Sequence, residues 1–196
     1  MSRIPLTALA ALALITVDPL SLPAQEAEMA RKSADQKMEE ALGAAPAGVA
    51  ESATVMDWPS EEGGEFTVLR EGSNGWTCLP DPPGENFEPM CNDGTWMSWV
   101  RTFMAGEEPR VDALGISYML NSTGETSNTD PRATEATADN EWHAVGPHMM
   151  VLVPDPSMLE IYPDDPSPSV PYVMWKGTPY VHLMVPMEGG TSPDSR

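Results

Sequence analysis

Two stretches of this chain carry the side chains best suited to soft-metal or polar-anchor chemistry. They are "HMMVLV" at 148–153 and "VHLMV" at 181–185, in a chain with only three histidines. In an extended strand, residues two apart point to the same side. His148 and Met150 then share one face of the first strand, and His182 and Met184 share one face of the second. If the strands are neighbours, two imidazoles and two thioethers lie on one sheet face. That donor set suits copper, particularly the reduced ion, and makes His148, Met150, His182 and Met184 the candidate metal ligands. The competing expectation is a pair of core strands, because methionine is a common core filler. A buried neutral histidine is also satisfied by one carbonyl and one donor.

A second candidate surface is Trp142 and His143, which follow a polar loop of some twenty residues over 121–142. A loop of that length beside fixed strands is a common binding arrangement. For catalysis the sequence identifies no residue. It has no Gly-x-Ser-x-Gly elbow, phosphate loop, His-Glu-x-x-His helix or dinucleotide fingerprint. A hydrolase built on His143 or His148 with Asp139 or Asp155 stays open as a third class, since a carboxylate can orient an imidazole.

The elements that must position these residues follow from periodicity and turn signals. Short strands are expected at 65–70 ("EFTVLR") and 75–79 ("GWTCL"), joined through "EGSNG" as a hairpin. The clearest helix begins at Asn92 or Asp93 and carries Trp96, Trp99, Val100, Phe103 and Met104 at helical spacing until Gly106 and Pro109 end it. That stripe reads as core packing. Further strands are expected at 111–120 and 145–153, then a short helix opened by "PDPSMLEIY". A closing hairpin of 172–175 and 180–185 flanks "KGTP". The expected fold is α+β, mainly an antiparallel sheet with one principal helix packed on it and long proline-rich loops.

Residues 1–24 have the build of a secretory signal, with Arg3, an apolar run from Ile4 to Val17, and a small residue at Ala24. The run is shorter than the roughly 20 apolar residues of a membrane span, so no span is expected after cleavage. Residues 25–50 read as a polar helix followed by a flexible linker, 51–187 as a single globular domain and 188–196 as a disordered tail. In an exported protein the two cysteines, Cys78 and Cys91, are expected to form a disulfide. Ten Lys and Arg against thirty Asp and Glu give a net charge of −20. That surface repels phosphate backbones and anionic lipid, which argues against nucleic-acid and peripheral membrane partners. The 21 prolines among 196 residues are about twice the usual share, and call for many stiff loops.

Two resemblances add to this reading. From His148-Met149 to His182-Leu183-Met184, with Met158 near the middle position, the chain resembles the His-Met, Met, His-x-Met pattern of periplasmic copper-accessory proteins. That resemblance implies a cupredoxin-like β-sandwich and delivery of copper to oxidase assembly, although Met158 falls early for the pattern. The combination of "NGWTC", "PMC", "GPHMM", "PDP" and "PYVMWKGTPYVHLMVP" is similar to a group of uncharacterised exported bacterial proteins. It implies a periplasmic or extracellular location and a single domain, and carries no activity. The sequence thus points to an acidic, exported, disulfide-bridged domain that binds a protein or small molecule of the cell envelope or has a structural role there. Copper handling and hydrolysis are the alternatives.

Overall fold

The computed structural model describes residues 32–61, 63–82 and 88–187. The segments read as a signal peptide (1–24) and as a disordered tail (188–196) lie outside the described residues, as do residues 25–31 of the polar segment.

The chain is α+β. Among the described residues ten strands form in order: β1 Thr54–Asp57, β2 Thr67–Arg70, β3 Thr77–Leu79, β4 Met90–Asn92, β5 Gly115–Met119, β6 Glu125–Ser127, β7 Trp142–Ala144, β8 His148–Leu152, β9 Tyr172–Met174 and β10 His182–Pro186. Eight of them make one sheet in the order β2-β1-β3-β4-β5-β8-β10-β9, and β6 and β7 form a separate two-stranded ribbon. Every neighbour in the large sheet is antiparallel except β1 and β3. The helices are α1 Ala34–Gly43, α2 Ala47–Ala50 and α3 Gly94–Met104, with a 3-10 turn at Pro156–Leu159 where "PDPSMLEIY" suggests a short helix.

In β5 and β8 every second residue is buried, as the pleat of a strand requires. On one face Leu79, Met90, Met119, Met150, Leu152, Met174 and Met184 meet Trp96, Trp99, Val100 and Phe103 of α3 in the main core. The opposite face carries two smaller clusters. One holds Val55, Cys78 and Cys91 under alanines 41, 44 and 45; the other holds Val173 and Leu183 under Leu159. Both faces are therefore covered, where the sequence suggests one helix on one face.

Helix α3 starts where its cap dictates. Asp93 accepts the backbone N–H of Trp96 with one carboxylate oxygen (2.9 Å) and that of Ile116 with the other (2.7 Å). The cap thereby ties the helix to β5 as well as satisfying an orphan donor. Burying the three aromatic side chains Trp96, Trp99 and Phe103 then contributes on the order of 2–3 kcal/mol each before entropy is counted.

Two expectations need correction. Residues 43–50 are not a linker: Ala44, Ala45 and Ala50 are buried, and α2 is held by Arg70, whose guanidinium donates to the carbonyls of Ala50 (2.8 Å) and Ala53 (2.6 Å). Small side chains let this segment lie directly over the disulfide, a role that low complexity disguises. Nor do the strands at 65–70 and 75–79 pair with each other. β1 lies between them, antiparallel to β2 and parallel to β3. The "EGSNG" turn docks on the chain before β1, with Ser73 N–H donating to the Ser52 carbonyl (2.8 Å) and the Asn74 amide donating to that of Val49 (2.7 Å). Gly72 sits so close there that an added Cβ would fall 2.2 Å from the Ala53 carbonyl carbon. The closing hairpin is as expected, β9 against β10. Cys78 and Cys91 are opposed residues of β3 and β4 and form the disulfide.

Candidate functional site

The two His-x-Met strands are neighbours. In their antiparallel register Met150 faces Met184 and His148 faces Pro186. On the outer sides, His148 faces Met119 of β5 and His182 faces Met174 of β9. All six of these histidines and methionines line one pocket of ≈ 600 Å³ between the sheet and α3. Its other walls are Trp96, Trp99, Val100 and Phe103 of α3, together with Trp58, Met90 and Trp175. Exposed Ser60, Glu61, Met104, Glu125, Arg132 and Thr134 form the rim.

The register also limits what the donors can do together. His148 and His182 flank the Met150–Met184 pair from opposite ends. Their backbones are therefore offset by four residues, about 13 Å along the strands at the usual rise. The four predicted ligands form a staggered strip on one face, with backbone positions that do not meet at one point. Each imidazole instead has a thioether directly across from it, Met119 for His148 and Met174 for His182. Among the described residues no three His, Cys, Asp or Glu side chains gather as a metal cluster. Met158 is 59% exposed on the 3-10 turn and lines no part of the pocket.

Both pocket histidines are held in the same way. Nδ1 of His148 lies 2.7 Å from the Gly146 carbonyl, and Nδ1 of His182 lies 3.0 Å from the Tyr180 carbonyl. A carbonyl only accepts, so Nδ1 carries the proton in each ring, and Nε2 keeps its lone pair. Burial pushes the His182 pKa down to about 4, against the pull of the Tyr180 carbonyl and with a small added repulsion from His148. Burial also lowers that of His148, with the Gly146 carbonyl and Glu88 acting in the opposite direction. Both imidazoles are neutral at physiological pH.

His182 sits among three indoles: its ring centroid is 5.5 Å from that of Trp96, 6.3 Å from Trp99 and 5.0 Å from Trp175, edge to face in each case. Trp175 stacks parallel to Trp99 and Phe103 at 6.2 and 6.1 Å. It holds this position with a backbone φ of +55°, a left-handed conformation that an aromatic residue rarely adopts and that costs on the order of 1 kcal/mol or more. Two hydrogen bonds anchor it there: its backbone N–H to the Asn128 carbonyl (2.9 Å) and its indole N–H to the Ser127 carbonyl (2.8 Å). The long loop thus takes part after all. Its Pro131 to Thr134 segment borders the mouth, with the Arg132 guanidinium 3.7 Å from the centre of the Phe103 ring and donating to the Phe103 carbonyl (2.7 Å).

Trp142 and His143 do not line the pocket. The Trp142 indole donates to Glu125 (3.2 Å), and His143 Nε2 lies 3.1 Å from the Tyr172 hydroxyl, which links the ribbon to β9 of the sheet. No imidazole is hydrogen-bonded to a carboxylate among the described residues. Asp155 caps the 3-10 turn through Ser157 N–H (3.0 Å), so it is not the partner of a catalytic histidine. The pairing of His143 or His148 with Asp139 or Asp155 is not formed. The residues that the sequence reading missed as site residues are Trp96, Trp99, Met119, Met174 and Trp175. The first two were visible at helical spacing, but only as packing. Compared with known proteins, the chain matches no family model, no curated sequence and no solved structure. No described helix is long and apolar enough to cross a membrane.

The depressed histidines predict a pH dependence of stability. Between pH 6.5, the ordinary histidine value, and about 4 the unfolded chain takes up a proton that folded His182 refuses. Stability present above pH 6.5 is therefore lost as pH falls toward 4, by up to about 3 kcal/mol for this residue. Urea unfolding of the wild type and His182→Gln at pH 7 and pH 4.5 checks this. The variant is expected to lose less stability on acidification, and equal losses would contradict the assignment.

Proposed function

We propose that the chain is an exported binding protein that takes an uncharged, largely apolar small molecule into the pocket between α3 and the face of β5, β8, β10 and β9. The observation that carries this is the pocket itself. Its ≈ 600 Å³ falls inside the roughly 300–1,000 Å³ range of small-molecule sites, which are mostly apolar with a few fixed polar groups. Its walls are mainly thioethers, indoles and neutral imidazoles, and the Glu88 carboxylate on one side is already engaged by the Ser122 hydroxyl. Methionine side chains adapt to ligand shape and make favourable contacts with aromatic groups. Export is supported by the signal-like residues 1–24 and by the disulfide of Cys78 and Cys91. The acidic exterior and the absence of a paired imidazole and carboxylate among the described residues favour binding over hydrolysis.

Naphthalene is a suitable first probe, being flat, neutral and small enough for the space. A ligand that binds only the folded state raises the melting temperature by mass action. The melting temperature of the oxidised protein is expected to rise with naphthalene, and Met184→Trp, which fills the floor, is expected to remove that rise while remaining folded. No rise at saturating naphthalene would reject the reading.

A second reading, Cu(I) binding, is favoured by one specific observation: both pocket imidazoles have Nδ1 held by a carbonyl, which leaves the Nε2 lone pair as the donor, and each has a methionine across from it in the register. Metal-bound histidines are commonly fixed in this way. Native mass spectrometry with Cu(I) and a competing chelator tests it. Under this reading a stoichiometric ion binds and is lost in His182→Ala, whereas binding that survives the substitution, or none, rejects it.

A further inference from the structure

Four buried polar side-chain atoms lack a hydrogen-bond partner among the described residues, and three of them belong to one cluster. They are Nε1 of Trp96, Nε1 of Trp99 and Nε2 of His182, in side chains only 1%, 4% and 1% exposed. The three rings are in mutual contact: Trp96 and Trp99 have centroids 4.9 Å apart, and His182 lies 5.5 and 6.3 Å from them. All three line the pocket. A buried polar atom without a partner costs about 1–3 kcal/mol, so such atoms in one place call for an explanation.

Their chemistry is complementary to a single group. An indole N–H only donates. Nε2 of His182 only accepts, because Nδ1 holds the ring proton against the Tyr180 carbonyl. A hydroxyl does both at once: its O–H donates to the imidazole lone pair while its oxygen accepts from the indoles. A carboxylate would face the His182 lone pair with no proton to give, and an ammonium would face two N–H groups with no lone pair to offer. An ether or ketone satisfies only the indoles.

Resting on the pocket-binding reading above, we propose that the ligand class is a neutral apolar molecule bearing one hydroxyl, of the phenol or alcohol type, anchored through that hydroxyl at Trp96, Trp99 and His182. The apolar body then lies along the methionines, with Met150 and Met184 at the centre of the floor.

The test uses the oxidised chain labelled with 15N-tryptophan, titrated with 2-naphthol and separately with naphthalene. Trp96→Phe and Trp99→Phe each remove one N–H, keep an aromatic ring, and assign the corresponding indole signals. The expectation is that 2-naphthol binds about tenfold more tightly than naphthalene, the usual gain when a buried unpaired group is satisfied. Only 2-naphthol should move the Trp96 and Trp99 indole N–H resonances downfield, and each variant should reduce the preference. If both probes bind with equal affinity, or if the preference survives both variants, the hydroxyl anchor is overturned while the apolar pocket stands. If neither probe binds, both the anchor and the pocket reading fail. A preference lost only through misfolding is recognised by lost dispersion of the remaining indole signals, and His182→Phe then supplies the deciding comparison: it keeps a ring and removes the acceptor, so a reduced preference for 2-naphthol in it supports the anchor, whereas an unchanged preference overturns it.

Discussion

The register of β8 between β5 and β10 is the constraint from which the site follows. Side chains alternate across a sheet with a period of two, so slipping one strand by a single residue would turn His148, Met150 and Leu152 to the other face. The pairing of Met150 with Ser117 on one side and Met184 on the other prevents this. It also places His148 beside Met119, and through β9 it sets His182 beside Met174. The buried hydrogen bond from the Ser117 hydroxyl to Asn92 (2.7 Å) continues the same row into β4. Polar groups on that row meet each other, and the thioethers beyond them are left to face α3.

Helix α3 supplies the opposing wall under a different rule. Its cap at Asp93 fixes where it starts relative to β5, and its 3.6-residue period turns Trp96, Trp99 and Phe103 toward the sheet. Large flat rings against flexible methionines leave room where smaller side chains would close together. Trp175, held in a left-handed backbone conformation by the loop after β6, completes the aromatic wall around His182. The strain at that residue is balanced by its two hydrogen bonds and by stacking, which over-determine its position. The pocket is therefore a product of many separate segments of chain, and burial among them keeps its two histidines neutral.

Much of the frame is legible in the sequence, for reasons that are local. The apolar run in "HMMVLV", the Asp93 cap followed by a helical aromatic stripe and the "KGTP" turn between two strands each act within a few residues, and all three elements form. The same-face placement of His148 with Met150, and of His182 with Met184, is local too. What remained hidden depends on distant segments. β1 intrudes between β2 and β3 because the "EGSNG" turn docks on residues 49–52. The alanine-rich stretch at 43–50 packs because small residues can approach a disulfide, which composition alone reads as a linker. The staggering of the two imidazoles follows from an antiparallel pairing whose offset neither strand specifies by itself. Trp96 and Trp99 look like core in sequence and are core, and they are also walls of a space.

The central claim is that the face of β8 and β10 and helix α3 enclose an open site with His182 at its polar end. A crystal structure of the oxidised protein soaked with 2-naphthol tests it most directly. The account predicts ring density between α3 and the methionine pairs, with the hydroxyl oxygen within hydrogen-bond distance of His182 Nε2. A pocket closed by its own side chains, or a ligand found only elsewhere on the protein, would contradict it.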